Sequence, residues 1–282
     1  MTVILFRKDR NTEEEFEVAK KHFEVIEQRS LINKREKVLC RYSFLPYGRE
    51  LEKDVQILGG ELINSYQQHR YVADIEDWYY DLCDVTFETW FDVKSVEGDG
   101  PFVIKGKTNS RKHNWNTKMF AKDRSSLGII IAELMSDPFI SEQGIAIRKY
   151  VPLETFFTSL NDLPITNEWR TFWYKGKFID SGYYWTEYCK EIVDRCKDGE
   201  YKLTKGNVYY EKMLRLAGNV ADRIKDSIPF VCIDVAITAE GKPILVELND
   251  GCMSGLSSIS RRSPSGAQSQ SPNPKEQPES RC

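Results

Sequence analysis

Residues 230–251 read FVCIDVAITAEGKPILVELNDG, two apolar stretches joined by a short turn that contains Gly241. Three side chains that carry oxygen atoms interrupt these stretches: Asp234, Glu247 and Asn249. In a hairpin closed at this turn, Asp234 lies opposite Glu247, and alternation along the second strand places Glu247 and Asn249 on one face. Two carboxylates so close repel each other, and a divalent cation relieves that repulsion. The spacing therefore predicts a site for Mg²⁺ or Mn²⁺, with an ordinary hairpin facing water as the alternative.

Composition and charge limit the classes of function. The chain has 282 residues, with 40 Lys and Arg against 43 Asp and Glu, and a net charge of −3. A protein that binds nucleic acid by bulk electrostatics carries a clear basic excess, so no nucleic-acid partner is expected. No apolar run approaches the roughly 20 residues of a membrane helix, and charges directly follow MTVILF, which argues against a signal peptide. The seven cysteines lack CxxC pairs and indicate the mostly buried free thiols of a cytoplasmic protein.

The hairpin follows a long chain whose organisation changes near residue 90. Before that point the patterns TVILF, KVLCRYSF and ELINS predict strands, and residues 11–28, 46–60 and 72–85 predict helices. Such alternation implies a parallel sheet with helices packed on it. Later the chain is richer in hairpin signals, with glycine in the turns YKGK and AEGK. Residues 254–282 are dominated by Ser, Pro, Gln and Gly, which predicts a disordered tail.

The hairpin, written D-V-A-I…G-K-P-I-L-V-E-L-N, resembles the end of an ATP-grasp domain, in which one strand supplies Asp and the next supplies Glu-x-Asn. The resemblance implies an α/β (α+β) chain with an ATP-grasp fold, two subdomains clasping ATP, over residues 91–253. A small Rossmann-like lobe over residues 1–90 would precede it. Asp234, Glu247 and Asn249 would then hold the Mg²⁺ or Mn²⁺ that accompanies ATP.

Two further strands carry charged side chains that match this family. PFVIKGK resembles the strand whose lysine contacts the nucleotide phosphates, which assigns that role to Lys105. NEWRTFWYKGKFID resembles a strand that faces the triphosphate, where Arg170 would clamp a phosphate or acyl phosphate and Glu168 would order it. The resemblance makes Lys105 and Arg170 the catalytic candidates. The alternatives are a solvated lysine at a strand end and a surface ion pair.

The segment IAIRKYVPLETFF resembles the hinge between the two ATP-grasp subdomains. There the backbone of Lys149, Tyr150 and Val151 would hydrogen-bond the adenine edge, because a strand edge offers free N–H and C=O groups. Glu154 would bind the ribose hydroxyls. A plain edge strand ended by Pro152 is the alternative.

After Lys105 the family usually has a glycine-rich loop that closes over the phosphates, but this chain reads KTNSRKHNWNTKMFA. A basic loop binds a triphosphate by charge in place of backbone N–H groups. The substitution is similar to a divergent clade of phages and bacteria, to which QQHRYVADIEDWY with Arg70 is also similar. A solvated basic stretch is the alternative. The loop residues proposed for ATP are Lys107, Arg111 and Lys112, and His113 and Lys118 lie beside them.

The resemblance implies an ADP-forming ligase that activates a carboxylate as an acyl phosphate and joins it to an amine on a small molecule or peptide. Positioning and charge neutralisation carry such chemistry, so no Ser-His-Asp or Cys-His nucleophile is needed. Two other functions stay open. A kinase of a small metabolite would use the same ATP site, and a non-catalytic module that binds nucleotide or a partner fits the missing glycine-rich loop and the early low-complexity tail.

Overall fold

The structure is a computed structural model, and it describes residues 2–8, 12–41 and 49–256. Over these ranges the chain forms helices and four separate sheets. One sheet is parallel, and the other three are antiparallel. This mixed content confirms the predicted fold class.

A parallel sheet with two connecting helices lies at the N-terminus. Its elements are β1 (Thr2–Phe6), α1 (Glu13–His22), β2 (Glu24–Ile26), β3 (Lys37–Arg41), α2 (Glu50–Ile57) and β4 (Glu61–Leu62). The strand order is β2-β1-β3-β4, as expected for alternating strands and helices. Gly59 follows α2 with a φ of 83°, a left-handed conformation that glycine adopts at little cost.

The prediction of one helix over residues 11–28 is wrong in its last third. Helix α1 ends at His22, and Phe23 is extended with φ −137° and ψ 158°. Val25 and Ile26 then pair with β1 as an edge strand, and Ile26 is buried. β-branched residues favour a strand when a sheet edge is available, and this tertiary contact overrides the helical spacing.

Two helices follow where the sequence predicted one. Helix α3 (Tyr66–Ala73) begins with a reciprocal cap between Ser65 and Gln68, and α4 (Ile75–Leu82) follows immediately. Both helices pack into the large core that contains the acidic hairpin. The core of the N-terminal lobe thus ends near Leu62, well before the predicted boundary at residue 90.

The second sheet is antiparallel and has helices on one of its faces. Its elements are β5 (Thr89–Trp90), β6 (Phe102–Gly106), β7 (Phe120–Ala121), α5 (Arg124–Met135), α6 (Pro138–Gln143) and β8 (Ile145–Lys149). The strand order is β5-β8-β6-β7, and Phe102, Ile104, Leu134 and Ile147 fill the layer between sheet and helices. Because side chains alternate along a strand, the opposite face carries a different set of residues toward the third sheet.

The third sheet carries the acidic hairpin and packs against helix α9. The remaining elements are β9 (Thr155–Thr158), β10 (Pro164–Thr166), β11 (Glu168–Tyr174), β12 (Lys177–Tyr183), α7 (Cys189–Arg195), α8 (Gly199–Lys202), α9 (Tyr210–Ile224), β13 (Phe230–Ile237) and β14 (Pro243–Asp250). The third sheet has the order β12-β11-β13-β14, and β9 pairs with β10 in a separate small hairpin. Both predicted hairpins are present: Lys175 and Gly176 form one turn with φ of 48° and 72°, and Gly241 in the other has φ 77°.

The predicted disordered tail begins at Ser254, but the first residues of it are part of the fold. Ser254 is buried, and its hydroxyl donates to the carbonyl of Asp250 at 2.8 Å. The rest of the predicted tail, residues 257–282, lies outside the described residues. Within the described ranges, six cysteines are free thiols, of which three are buried. In those same ranges, no helix is long and apolar enough to cross a membrane.

Candidate active site

The predicted register of the acidic hairpin is present. Asp234 on β13 lies directly opposite Glu247 on β14, with a bulge immediately after this pair. The amide nitrogen of Asn249 donates to a carboxylate oxygen of Asp234 at 3.3 Å, so the three predicted side chains lie together. On the other side of β13, Arg170 of β11 is in register with Asp234.

Each carboxylate of this hairpin is bound by a cation. Arg170 donates to both oxygens of Asp234 through Nε at 2.9 Å and Nη2 at 2.8 Å, and the Asp234 side chain is fully buried. This is a bidentate guanidinium–carboxylate pair, with better geometry than a single point charge provides. Lys105 donates to Glu247, and its side chain is only 8% exposed. The sequence expectation that Glu168 orders Arg170 is replaced here by Asp234.

Burial and charge act in opposite directions on Glu247. Removal from water opposes ionisation, but the charges of Lys105 and Lys112 outweigh it and lower the pKa of Glu247 to about 2. The carboxylate is therefore ionised at every physiological pH. Glu247 is thus a fixed negative charge among cations.

A cleft of about 850 Å³ separates the second sheet from the third. Val103, Lys105 and Arg148 line it from strands β6 and β8, while Glu168 and Glu247 line it from β11 and β14. Charged residues therefore face one another across the space between two sheets. Apolar side chains cover much of the remaining wall: Phe87, Trp115, Met119, Leu153, Leu163 and Trp185.

Lys112, a predicted phosphate-binding residue, lies in this cleft. Its ammonium donates to the hydroxyl of Tyr184 and lies 4.0 Å from the centre of that ring. The electrostatic attraction of Tyr184 and Glu168 outweighs burial, so the pKa of Lys112 is raised. Lys112 is therefore a permanent cation beside Glu168 and Glu247.

Glu168 is the acid of the cleft that titrates near neutral pH. Its side chain is buried, and one oxygen accepts from the hydroxyl of Thr166 at 3.3 Å. Burial raises the pKa of Glu168 to about 7, because the attraction of Lys112 offsets the loss of hydration only in part. A carboxyl with such a pKa in a cleft is a typical feature of a functional site.

The hinge residues lie where the resemblance implies, with one difference. Lys149, Tyr150 and Val151 line the cleft, and the Tyr150 N–H donates to the carbonyl of Pro101 at 3.0 Å. Glu154, expected to bind ribose, instead accepts from the amide of Asn167 at 2.7 Å and is not among the cleft-lining residues.

Three predicted basic residues are directed away from the cleft. Lys107 forms an ion pair with Glu76, and Arg111 pairs with Asp137 at 2.6 Å. Arg70 pairs with Asp77 at 3.2 Å on the surface. Acids on α4 and at the start of α6 determine these orientations, and the sequence of the loop gives no sign of them.

A histidine for which the sequence suggests no partner lies beside an acid at the end of the hairpin. Nδ1 of His69 is 3.1 Å from a carboxylate oxygen of Asp250, and both side chains are buried. This contact joins helix α3 to strand β14. It therefore connects the chain just after the N-terminal lobe to the strand that carries Glu247.

Sequence reasoning missed Arg148, which is buried in the cleft. Its guanidinium donates to the carbonyl of Val246 at 2.8 Å and to the hydroxyl of Thr86 at 2.7 Å, and it lies 4.4 Å from the Phe87 ring centre. Burial lowers the pKa of Arg148 to about 10. The available signal was a basic residue inside the apolar strand IAIRK, where a buried position is otherwise unfavourable for charge.

The donor set at the hairpin fits a hard cation in its chemistry. Two carboxylates and one amide lie on adjacent strands at the edge of the cleft, as oxygen-ligated Mg²⁺ requires. Arg170 and Lys105 now neutralise the two carboxylates, so a metal ion here depends on both cations turning toward other anions. Among the described residues, no group of three or more His, Cys, Asp or Glu side chains is placed to hold a metal ion.

Two antiparallel sheets that enclose a cleft lined with buried charges are the architecture of ATP-grasp proteins. The chain belongs to a family of ATP-grasp domains, family 3 of its clade, whose model matches residues 95–266. The predicted resemblance is confirmed, and the match extends past the expected end of the domain at residue 253. No curated protein sequence matches the chain.

Solved structures of similar fold extend over almost the whole chain. D-cycloserine synthetase DcsG aligns with a TM-score of 0.54 and 12% identity over 90% of this chain and 92% of that chain. D-alanyl-alanine synthetase A from Vibrio cholerae aligns at 0.54 and 11%, over 93% and 92%. N5-carboxyaminoimidazole synthase from Aspergillus clavatus, in complex with ADP and 5-aminoimidazole ribonucleotide, aligns at 0.57 and 10%, over 91% and 70%. At these identities the similarity establishes the ATP-grasp fold.

Proposed function

We propose that the protein is an ATP- and Mg²⁺-dependent ligase that activates a carboxylate and joins it to an amine, with release of ADP. The observation that carries this proposal is the convergence of Lys105, Lys112 and Arg148 on Glu247 in the cleft between the sheets. Three cations clustered around one acid in an otherwise apolar cleft match a ligand that combines an apolar ring with a triphosphate. ATP is such a ligand.

The reaction proceeds in two balanced steps. An oxygen of the carboxylate attacks the γ-phosphorus, the bond to the β,γ-bridging oxygen breaks, and ADP leaves. The amine nitrogen then attacks the acyl carbon, the bond to the phosphate oxygen breaks, and phosphate and one proton leave. Both steps need charge neutralisation and alignment more than a covalent contribution from the protein.

The cleft residues take separate roles in this reaction. Lys105 and Lys112 neutralise phosphate oxygens, and Arg170 stabilises the acyl phosphate from the adjoining strand. The backbone of Lys149 to Val151 reads the adenine edge, as the resemblance implies. Since Lys107, Arg111 and Glu154 are engaged elsewhere, an ATP role for them requires the loop or hinge to move on binding.

Asp234, Glu247 and Asn249 are the residues that would hold Mg²⁺. When bound, the metal neutralises charge between the β- and γ-phosphates. Phosphate oxygens attract Lys105 and Arg170, and this attraction weakens their ion pairs with Glu247 and Asp234. The exchange of partners leaves carboxylate oxygens available at the edge of the cleft.

ADP release with Mg²⁺ and ATP, measured over a panel of carboxylic acids with and without amines, tests the proposal. We expect release that needs both acceptors and is lost in Lys105→Gln, while Lys122→Gln, at a more exposed position of the same part of the chain, keeps it. Release with hydroxyl compounds alone would identify a kinase. Thermal unfolding that Mg·ATP leaves unchanged would exclude every nucleotide-dependent function.

A further inference from the structure

A second cavity of about 840 Å³ adjoins the nucleotide cleft. Lys112, Leu163 and Trp185 line both spaces, so the ammonium of Lys112 lies at their boundary. Arg170 and Tyr184 line the second cavity only. The residue that would contact the terminal phosphate from the cleft therefore also faces a separate space large enough for a small molecule.

The charges that line this second cavity favour an anion. Lys112 and Arg170 are permanent cations, and Glu187, which is exposed, is the acid among the lining residues. The ring of Tyr184 holds both cations in place: its centre is 4.0 Å from the Lys112 ammonium and 4.9 Å from the Arg170 guanidinium. Cations over an aromatic face are fixed in position while their remaining donors stay available to a ligand.

Residues 251–256 complete the wall of the second cavity through Gly255 and Leu256. The N-terminal lobe holds this segment: Arg41 donates to the carbonyls of Cys252 and Ser254 at 2.6 and 2.9 Å. Arg170 donates to the carbonyl of Gly255 at 3.2 Å. The wall therefore depends on contacts from both ends of the chain and directly follows the strand that carries Glu247.

We infer that the second cavity is the acceptor site, and that it binds the acceptor by a carboxylate directed at Lys112 and Arg170. This inference rests on the proposed function, since the carboxylate so placed is the group that is activated. Arg41 lines neither space and acts as a positioning residue through the segment that it holds. The acceptor is thus a small carboxylate compound whose other end reaches solvent beside Glu187.

Gly255 allows a direct test because it can be enlarged without backbone strain. Its φ is not in the left-handed region, and a Cβ added there meets as its nearest atom only the Nη1 of Arg170, at 4.0 Å. Gly255→Phe therefore fills the second cavity and leaves the nucleotide cleft, which Gly255 does not line, unchanged. Gly128 in α5 is the matched control, since a Cβ there meets nothing within 4 Å.

The probes are acetate, succinate and β-alanine with their amides, measured by ligand-observed NMR on the full chain with and without the Mg²⁺ complex of a non-hydrolysable ATP analogue. We expect carboxylates to bind about tenfold more tightly than the amides. Gly255→Phe should weaken carboxylate binding by about tenfold and change the affinity for the ATP analogue by less than about twofold. Gly128→Phe should change neither.

Equal binding of carboxylates and amides, no binding of any probe, or carboxylate binding that survives Gly255→Phe would each overturn the inference. Failure of the proposed function gives a different result, because the ATP analogue then does not bind the unmodified chain. Affinity for the analogue also shows that Gly255→Phe is folded.

Discussion

The raised pKa of Glu168 makes a stability prediction that is independent of any ligand. The group titrates at about 7 in the folded protein against 4.5 in a model peptide. Below pH 4.5 it is protonated in both the folded and the unfolded state. As the pH rises from 4.5 to about 7, the unfolded chain releases this proton while the folded chain retains it, so the folded state loses stability.

The size of the effect follows from the two pKa values. One pKa unit corresponds to about 1.4 kcal/mol, so burial of Glu168 costs about 1 kcal/mol at pH 5 and about 3 kcal/mol at pH 8. Glu168→Gln has no titrating group and avoids this cost. The variant should therefore gain about 2 kcal/mol relative to the unmodified protein between pH 5 and pH 8, which is a difference in Tm of about 4–8 °C.

Urea unfolding of both proteins at pH 5, 6, 7 and 8, without nucleotide, measures this difference. The substitution also alters the hydrogen bond from Thr166. That contribution does not vary with pH and cancels in the comparison. Glu133→Gln, on an exposed position of α5, is the control and should show no pH-dependent difference. A constant offset between the unmodified protein and Glu168→Gln across the whole range would refute the raised pKa and the burial that causes it.

Three other substitutions test contacts described above. Asp234→Asn leaves the guanidinium of Arg170 without its counter-charge, so the free energy of unfolding in urea should fall by about 3 kcal/mol and recover in part when Arg170→Met is added; additive losses would disprove the coupling. Arg41→Met should speed amide hydrogen exchange of residues 251–256 by about tenfold and leave β13 unchanged, whereas uniform acceleration would indicate global destabilisation instead. Gly176→Ala, at a φ of 72°, should lower the free energy of unfolding by about 1 kcal/mol in calorimetry, and an unchanged Tm would contradict the turn geometry.

Local patterns in the sequence were sufficient for the hairpins and for the alternation of strands and helices. Asp234 lies opposite Glu247 because side-chain alternation and a short turn set the register over a few residues. The same local rules failed at residues 24–26, where an edge of the parallel sheet converts helical spacing into a strand. They also missed the division of residues 66–82 into two helices, which pack on a core distant in sequence.

The sequence alone thus determined the acidic hairpin, Lys105 on its strand and the membership of an ATP-binding family. Only the tertiary structure decided which cations meet these acids. Lys112 enters the cleft while Lys107 and Arg111 turn to acids on helices or at their ends, although all three belong to one basic loop. The physical reason is that alternation and turn chemistry act between neighbouring residues. The partner of a charge, in contrast, is chosen by packing between elements far apart in the chain, as Lys105 and Glu247 are.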